Sequence, residues 1–345
     1  MPERYGADVT ATPERSVTRS PTIFDVAERA GVSHQTVSRV INGDATVRAP
    51  LRERVTAAIA ELGYRPRAAA RALASRTSRA LGVVSTGGAL HGPTSTALAF
   101  NQAARRAGYH VLTATLDRAE PESMRDAVET LLAQDVAAIV LVAADSTATD
   151  ALAALPVAPP VPVVIANGRA GQVAGWTAVA IDQAAGAELA VRHLLDRGRR
   201  RIAHLTGPEV SQEAVVRRDT YERLVREAGF EPLVLAGDWT PESGYDAGLA
   251  LDRDTVDAVF CGNDQMALGV LHAFADRGVR VPEDVALVGF DDIPEAAHFT
   301  PPLTTVRQDF ASLGERVLEA VLVVLTGGAV TDRTVEPELV VRTST

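Results

Sequence analysis

Lysine is absent from the chain: all 34 basic residues are arginine, a bias that reads as genome base composition more than function. The single cysteine, Cys261, excludes an intramolecular disulfide and fits a reducing compartment. Aromatic residues make up only 4% of the chain, so a core drawn from the 46% hydrophobic fraction must be packed by Ala, Val and Leu. No apolar run approaches the ~18 residues that a membrane helix needs. The first 20 residues carry charges and no apolar segment, unlike a secretory signal. These absences predict a cytoplasmic protein with no membrane partner. Chemistry is missing as well. There is no nucleophile elbow, no phosphate-binding loop and no His/Cys spacing for a metal. The glycine pair after the first apolar run, Ser85-Thr86-Gly87-Gly88, is too short for a dinucleotide turn. No catalytic residue, metal or cofactor is therefore expected.

What is present is an uneven charge. The net charge is −10, yet residues 21–80 hold ten arginines against five acidic residues, while residues 1–20 balance at three of each. The remaining residues carry the acid excess, so a basic head on an acidic body is expected. At 345 residues, two or three domains fit the length.

Residues 1–20 are polar and without periodicity, which predicts a disordered tail. Residues 22–63 read as three short helices. Thr22 caps the first with Asp25 three residues on. Gly31 ends it and Ser33 caps the second, which runs from His34 to Asn42 before Gly43. Val37, Val40 and Ile41 share its inner face. Pro50 opens the third, with Leu51, Val55, Ile59 and Leu62 as its stripe and Gly63 as its stop. The Ala-rich stretch 67–76 favours a helix but has too little apolar bulk to form one alone. From Leu81 onward, nine short apolar runs alternate with amphipathic helical stretches. That pattern predicts parallel sheets covered on both faces, hence two Rossmann-like lobes. Ligands in such folds sit at the carboxyl ends of the strands. The runs end in polar residues there: Thr86, Asn167, Asp182, Asp238, Asn263 and Asp291.

With Val37, Val40 and Ile41 inward, the second helix turns His34, Gln35, Ser38 and Arg39 outward. Gln pairs with adenine N6/N7 and Arg with guanine O6/N7, so this face suits the major groove. Thr22, Ser33, Thr36 and Asn42 suit phosphate contacts that set the docking angle.

The segment from Thr22 to Ser75, with its AGVS-x-x-TVSRV-x-N core and later GY-x-P-x-x-x-A-x-x-L, resembles the head and hinge of the lactose-repressor family. The likeness continues through ALHGP (89–93), GDW (237–239), NDQMALG (263–269), GFDD (289–292) and PPLTTVRQDF (301–310), and it covers residues 21–345. It implies a repressor of the helix-turn-helix class on a body of the periplasmic-binding-protein type. The implied layout is a head over 21–66, a hinge helix over 67–78, one lobe over 79–178 and 308–336, and a second over 179–307 and 337–345. Gln35 and Arg39 would read base edges beside His34. The hinge would fold in the minor groove with Leu73 as a wedge, a device that kinks DNA at a cost of a few kcal/mol.

The resemblance also places Leu90, Pro93, Asn167, Arg217, Trp239, Asn263, Asp291 and Phe310 around a sugar pocket. The chemistry suits a sugar: Arg217, Asn263 and Asp291 for hydroxyls, Trp239 and Phe310 for the apolar ring face. Two positions depart from the family pattern. Asn167 stands for a carboxylate, and Val142 stands near an amide, so the identity of the sugar is open while the class holds. His91 is expected at an interface or signalling position. The partners implied are operator DNA, a galactoside-like inducer and a second copy of the chain. No heptads follow VEPELVVRTST, which predicts a dimer rather than a tetramer. Two alternatives stay open. One is a regulator that needs its ligand to bind DNA, as purine-sensing relatives do. The other is a sugar-modifying enzyme carrying a DNA-binding head.

Overall fold

The computed structural model describes residues 21–41, 43–44, 46–64, 78–88, 90–143, 145–168, 175–330 and 334–345. It divides into two compact units, Met1–Thr77 and Ser78–Thr345. The tail expected over 1–20 and all but the last residue of the expected hinge helix lie outside the described residues.

In the first unit, three helices form where the caps and stripes predict: α1 (Ile23–Ala30), α2 (His34–Ile41) and α3 (Ala49–Leu62). A reciprocal capping box opens α1, with the Asp25 carboxylate accepting from the Thr22 N–H at 2.6 Å and Thr22 Oγ1 accepting from the Asp25 N–H at 3.4 Å. Gly31 closes it at φ 62°, where a β-carbon would be strained. Val26, Val37 and Val55 are fully buried, one from each helix, with Val40, Ile41, Ile59 and Leu62 packed around them. Each such Val contributes about 1.5–3 kcal/mol by leaving water.

The second unit holds two six-stranded sheets. The first contains β1 (Ala80–Thr86), β2 (His110–Leu116), β3 (Ile139–Val142), β4 (Val163–Ala166), β5 (Thr177–Ile181) and the short β11 (Thr334–Val335). Its order is β11-β5-β4-β3-β1-β2, parallel throughout. The second contains β6 (Ile202–Thr206), β7 (Leu233–Ala236), β8 (Ala258–Cys261), β9 (Ala286–Asp291), β10 (Thr304–Arg307) and β12 (Glu338–Val340). Its order is β12-β10-β9-β8-β6-β7, with only β12 antiparallel. The first lobe carries α4 (His91–Arg106), α5 (Pro121–Leu132), α6 (Ser146–Ala153) and α11 (Phe310–Leu325); the second carries α7 (Gln183–Asp196), α8 (Gln212–Glu227), α9 (Pro241–Ala250) and α10 (Asp264–Asp276).

All nine apolar runs form strands; of their polar ends Thr86 and Asp291 stay in the sheets, while Asn167, Asp182, Asp238 and Asn263 leave them. Asn263, for example, departs from β8 to cap α10, its side chain accepting from the Met266 N–H at 2.8 Å. The chain crosses between lobes after β5, after β10 and between β11 and β12. The two central strands β3 and β8 are buried along their whole length, because helices cover both faces.

Candidate functional site

Two groups of side chains stand out, one in each unit. On α2, His34, Gln35 and Arg39 are exposed while Thr36 and Ser38 are half-buried, so the polar face expected for base reading is open to solvent. Arg39 faces Asp44 at 4.0 Å, with two thirds of its side chain exposed. Ser33 and Thr36 bond to each other at 3.0 Å, and Ser33 Oγ accepts from the Thr36 N–H at 3.2 Å, which caps α2. Thr22 is committed to its capping box. Asn42 and Leu73 lie outside the described residues. Phe24, 64% exposed at the start of α1, has its ring centroid 5.3 Å from that of His34. Nothing in the periodicity singles it out, because an apolar residue on a short helix normally points inward.

In the body, the carboxyl ends of the strands converge as expected. Arg217, on the inner face of α8, is only 2% exposed. Its Nε donates to Gln183 Oε1 at 2.8 Å and its Nη1 to the Gly262 carbonyl. Its guanidinium carbon lies 3.7 Å from the centre of the Phe290 ring and 5.6 Å from that of Trp239. The chain of bonds continues: Gln183 Nε2 donates to Gln308 Oε1 at 2.9 Å, and Gln308 Nε2 to Asp291 Oδ1 at 2.6 Å. Two glutamines thus link guanidinium to carboxylate, and all four side chains are buried. Burial pushes the Asp291 carboxyl above its usual value, opposed by the Arg217 charge. Burial also lowers Arg217, opposed chiefly by Asp291.

The other expected residues surround this network. Trp239 has φ 75° and lies over Gly207, where any β-carbon would strike its ring, and close to Gly262, where one would fit tightly. Asn263 Nδ2 donates to the Trp239 carbonyl at 3.0 Å, so both ends of the Asn263 amide hold protein groups. Phe310 opens α11 and meets His91 edge-on at 5.5 Å. Leu90 and Pro93 flank that contact, half-buried at the start of α4. His91 therefore packs inside its own lobe, bonded to Ser95 at 3.3 Å and close enough for its charge to act on Asp291. Asn167, at φ 56°, accepts from the Ile181 N–H at 3.2 Å through Oδ1. Val142 points into the core of the first lobe, and Ala143 takes the cavity-facing position instead, as strand alternation requires.

Between the lobes lies a small cleft, open to solvent, whose enclosed space of about 10 Å³ holds about one water. Ala143, Asp145, Ser146, Thr149, Asn167 and Gly168 line it from the first lobe, Gln212 and Glu213 from the second. At its mouth, Ser146 donates through both N–H and Oγ to the Val210 carbonyl, at 3.1 and 3.3 Å, tying the two lobes. Sequence reasoning passed over Gln183, Gln308, Phe290 and Glu213. Glu213 had a signal, one helical turn before Arg217 on the same face of α8. Gln308 lay within the PPLTTVRQDF motif. Asp292, by contrast, is committed to Arg307 at 2.7 Å and Arg342 at 2.6 Å. Among the described residues no cluster of His, Cys, Asp and Glu is built to hold a metal, and no helix is long and apolar enough to cross a membrane.

Known proteins share this arrangement. Residues 22–67 match the family described as bacterial regulatory proteins, lacI family, and residues 191–345 match the periplasmic binding protein-like domain. The lactose operon repressor of Escherichia coli K12 is 34% identical over 328 residues, covering 94% of this chain and 90% of that protein. The repressor PurR of Pasteurella multocida is 33% identical, covering 94% and 98%. The crystal structure of a lac repressor dimer bound to operator and the anti-inducer ONPF superposes with a TM-score of 0.85 at 33% identity, over 94% of this chain and 99% of that one. The regulator CelR in complex with cellobiose superposes at 0.68 and 32% identity, over 94% and 100%. A three-helix head with an open polar face, a two-lobed body and this depth of similarity lead to one conclusion: the chain belongs to the lactose-repressor family and is a DNA-binding transcriptional repressor, not an enzyme.

Proposed function

We propose that the body binds a neutral sugar between its lobes and that binding releases a palindromic operator. The observation that carries this reading is the buried Arg217–Gln183–Gln308–Asp291 network beside two aromatic rings. Such a network offers donors and acceptors in fixed pairs, and Trp239 offers a face for the C–H side of a sugar ring. The similarity to a cellobiose-bound regulator supports the class, and Asn167 tunes which sugar is taken. The layout of head, hinge and lobes read from the sequence goes with this proposal. Gln35 and Arg39 read bases, His34 and Ser38 lie beside them on the same face, and Thr22, Ser33, Thr36 and Asn42 contact phosphates. Leu73 is the minor-groove wedge, on sequence grounds alone. One recognition helix spans one half-site, so the working unit is a homodimer, acting where the DNA is, in the cytoplasm.

Release requires a ligand that prefers the arrangement in which operator is held poorly, since equal affinity for both arrangements shifts nothing. A hundredfold loss of operator affinity needs about 2.7 kcal/mol of such preference. Fluorescence anisotropy of a labelled operator complex, titrated with galactosides and cellobiose, tests this: dissociation is expected. If no sugar changes operator affinity, the reading fails. A second reading, in which the ligand tightens operator binding, draws on the near-equal identity to the PurR repressors, and a sugar or purine that raises anisotropy would establish it.

A further inference from the structure

We propose that Glu213 is the ligand-selecting carboxylate of the interlobe cavity. It supplies from the second lobe the acceptor that Asn167 does not supply from the first, and it admits neutral, hydroxyl-rich ligands while rejecting those that carry phosphate or carboxylate. The choice of probes rests on the sugar reading above.

Glu213 and Asn167 line the same cavity from opposite lobes. Asn167 has spent its carbonyl oxygen on the Ile181 N–H, which leaves its amide N–H₂ for a ligand. Glu213, half-buried in the first turn of α8, has no hydrogen-bond or ion-pair partner among the described residues. Asn167 therefore offers a donor from one wall and Glu213 a carboxylate acceptor from the other, while the Asp145 carboxylate beside Asn167 has one oxygen held by Thr147. Arg217, one turn along α8, spends its Nε and Nη1 on Gln183 and the Gly262 carbonyl and makes no ion pair with Glu213, although its charge still favours the ionised carboxylate. The Asp145 carboxyl lines the same cavity and Asp291 acts on Glu213 through its charge. An anionic ligand would meet these carboxylates at short range, where like charges repel.

The groups that face Glu213 also set its titration. Burial pushes its carboxyl up to about 7, Arg217 on its own helix opposes this, and Asp291 at the end of β9 adds to it. Asp145 at the start of α6 is a further negative group at the cavity, and His91 bears on Asp291 from α4. A ligand hydroxyl that donates to the ionised carboxylate draws off the proton, so affinity for a neutral ligand rises as pH passes upward through 7.

Calorimetry on the full chain and on Glu213→Gln, from pH 6 to 8, tests the assignment with paired probes. These are galactose against galactose 6-phosphate and galacturonate, and guanine against guanosine monophosphate. The wild type is expected to favour the neutral member about tenfold or more, with affinity rising with pH; Glu213→Gln narrows that preference several-fold and flattens the pH profile. Circular dichroism melts establish that the variant is folded. An unchanged preference in Glu213→Gln, a retained pH slope, or equal binding of anion and neutral partner by the wild type overturns the role of Glu213. If the purine pair binds and the sugars do not, the sugar reading falls, and Glu213 is judged on the purine pair.

Discussion

Arg217 holds a guanidinium where water does not reach, and its substitution shows what the surrounding groups require. Arg217→Ala leaves Gln183 Oε1 and the Gly262 carbonyl short of a donor, at about 1–3 kcal/mol for each buried group. Arg217→Lys restores the charge but not the fork, since one ammonium cannot reproduce the planar geometry. Both variants are expected to lose the ligand-induced change in operator anisotropy, and a wild-type response from Arg217→Ala would exclude it from the site. Gly207→Ala drives a methyl group into the Trp239 ring, so the ring must move. Quenching of Trp239 fluorescence by ligand should then disappear. Glu213 carries a stability effect with a definite sign. Its carboxyl is raised to about 7 from 4.5, so between those values the folded chain binds more protons than the unfolded one. Stability therefore falls as pH rises through that window. Because Glu213 is only partly buried, solvent screening reduces the effect to about 1 kcal/mol. Glu213→Gln should melt higher than wild type at pH 8 and alike at pH 4.5; equal melting at both values would show the carboxyl to be unperturbed. At this scale Arg217, Trp239 and Asp291 were named through the family resemblance, with Asp291 marked besides as a polar strand end. Gln183 and Gln308 were not, because an amide becomes part of a site only through the partners that folding brings to it.

Elements repeat the lesson with different physics. The head was legible almost residue by residue, since each helix carries its own start and stop: Thr22 and Asp25, Gly31, Ser33, Pro50 and Gly63. Thr22→Ala removes half of the capping box and is expected to cost about 1 kcal/mol, read from the urea midpoint of the head transition. Arg39→Ala should weaken operator binding by about 1–3 kcal/mol and relax one base pair. An equal loss on random DNA would make Arg39 a phosphate contact. In the second lobe, the Tyr221 hydroxyl, buried on α8, donates to the Ile202 carbonyl at 2.6 Å and accepts from the Leu233 N–H at 2.9 Å, so one side chain ties β6 to β7. Tyr221→Phe strands these backbone groups and should speed amide exchange along β7, the edge of its sheet, with little change in β9. The strands β10, β11 and β12 were not anticipated. β11 and β12 are two and three residues long, too short for a period to register, and β10 is a four-residue run with threonine at two positions, without the continuous apolar character of the other strands.

At the scale of the whole molecule, three crossings make each lobe discontinuous in sequence, so closing one lobe on the other moves three chain segments together. The expected lobe limit at 178 falls inside β5, and the first sheet runs on to Ile181 before the chain crosses. Leu98 on α4 and Leu268 on α10 are 58% and 42% exposed, apolar positions suited to cover by a second copy. Light scattering of the full chain should give the mass of a dimer at micromolar concentration, and a monomer that still binds operator tightly would remove the symmetric half-site reading. If sugar weakens operator binding, operator must weaken sugar binding by the same factor, which calorimetry with and without operator checks. The sequence by itself determined the class of every major element and the family, because caps, apolar periods and joined motifs act locally and survive without neighbours. It also determined which chemistry was available: an arginine-rich head and strand ends rich in amides and carboxylates. The tertiary structure alone decided which of these groups meet. It set Asn167 opposite Glu213 across one cavity, spent both ends of Asn263 on its own backbone, turned Val142 inward and joined Arg217 to Asp291 through two glutamines. Those outcomes depend on residues separated by up to 125 positions, and only packing brings such groups within hydrogen-bond reach.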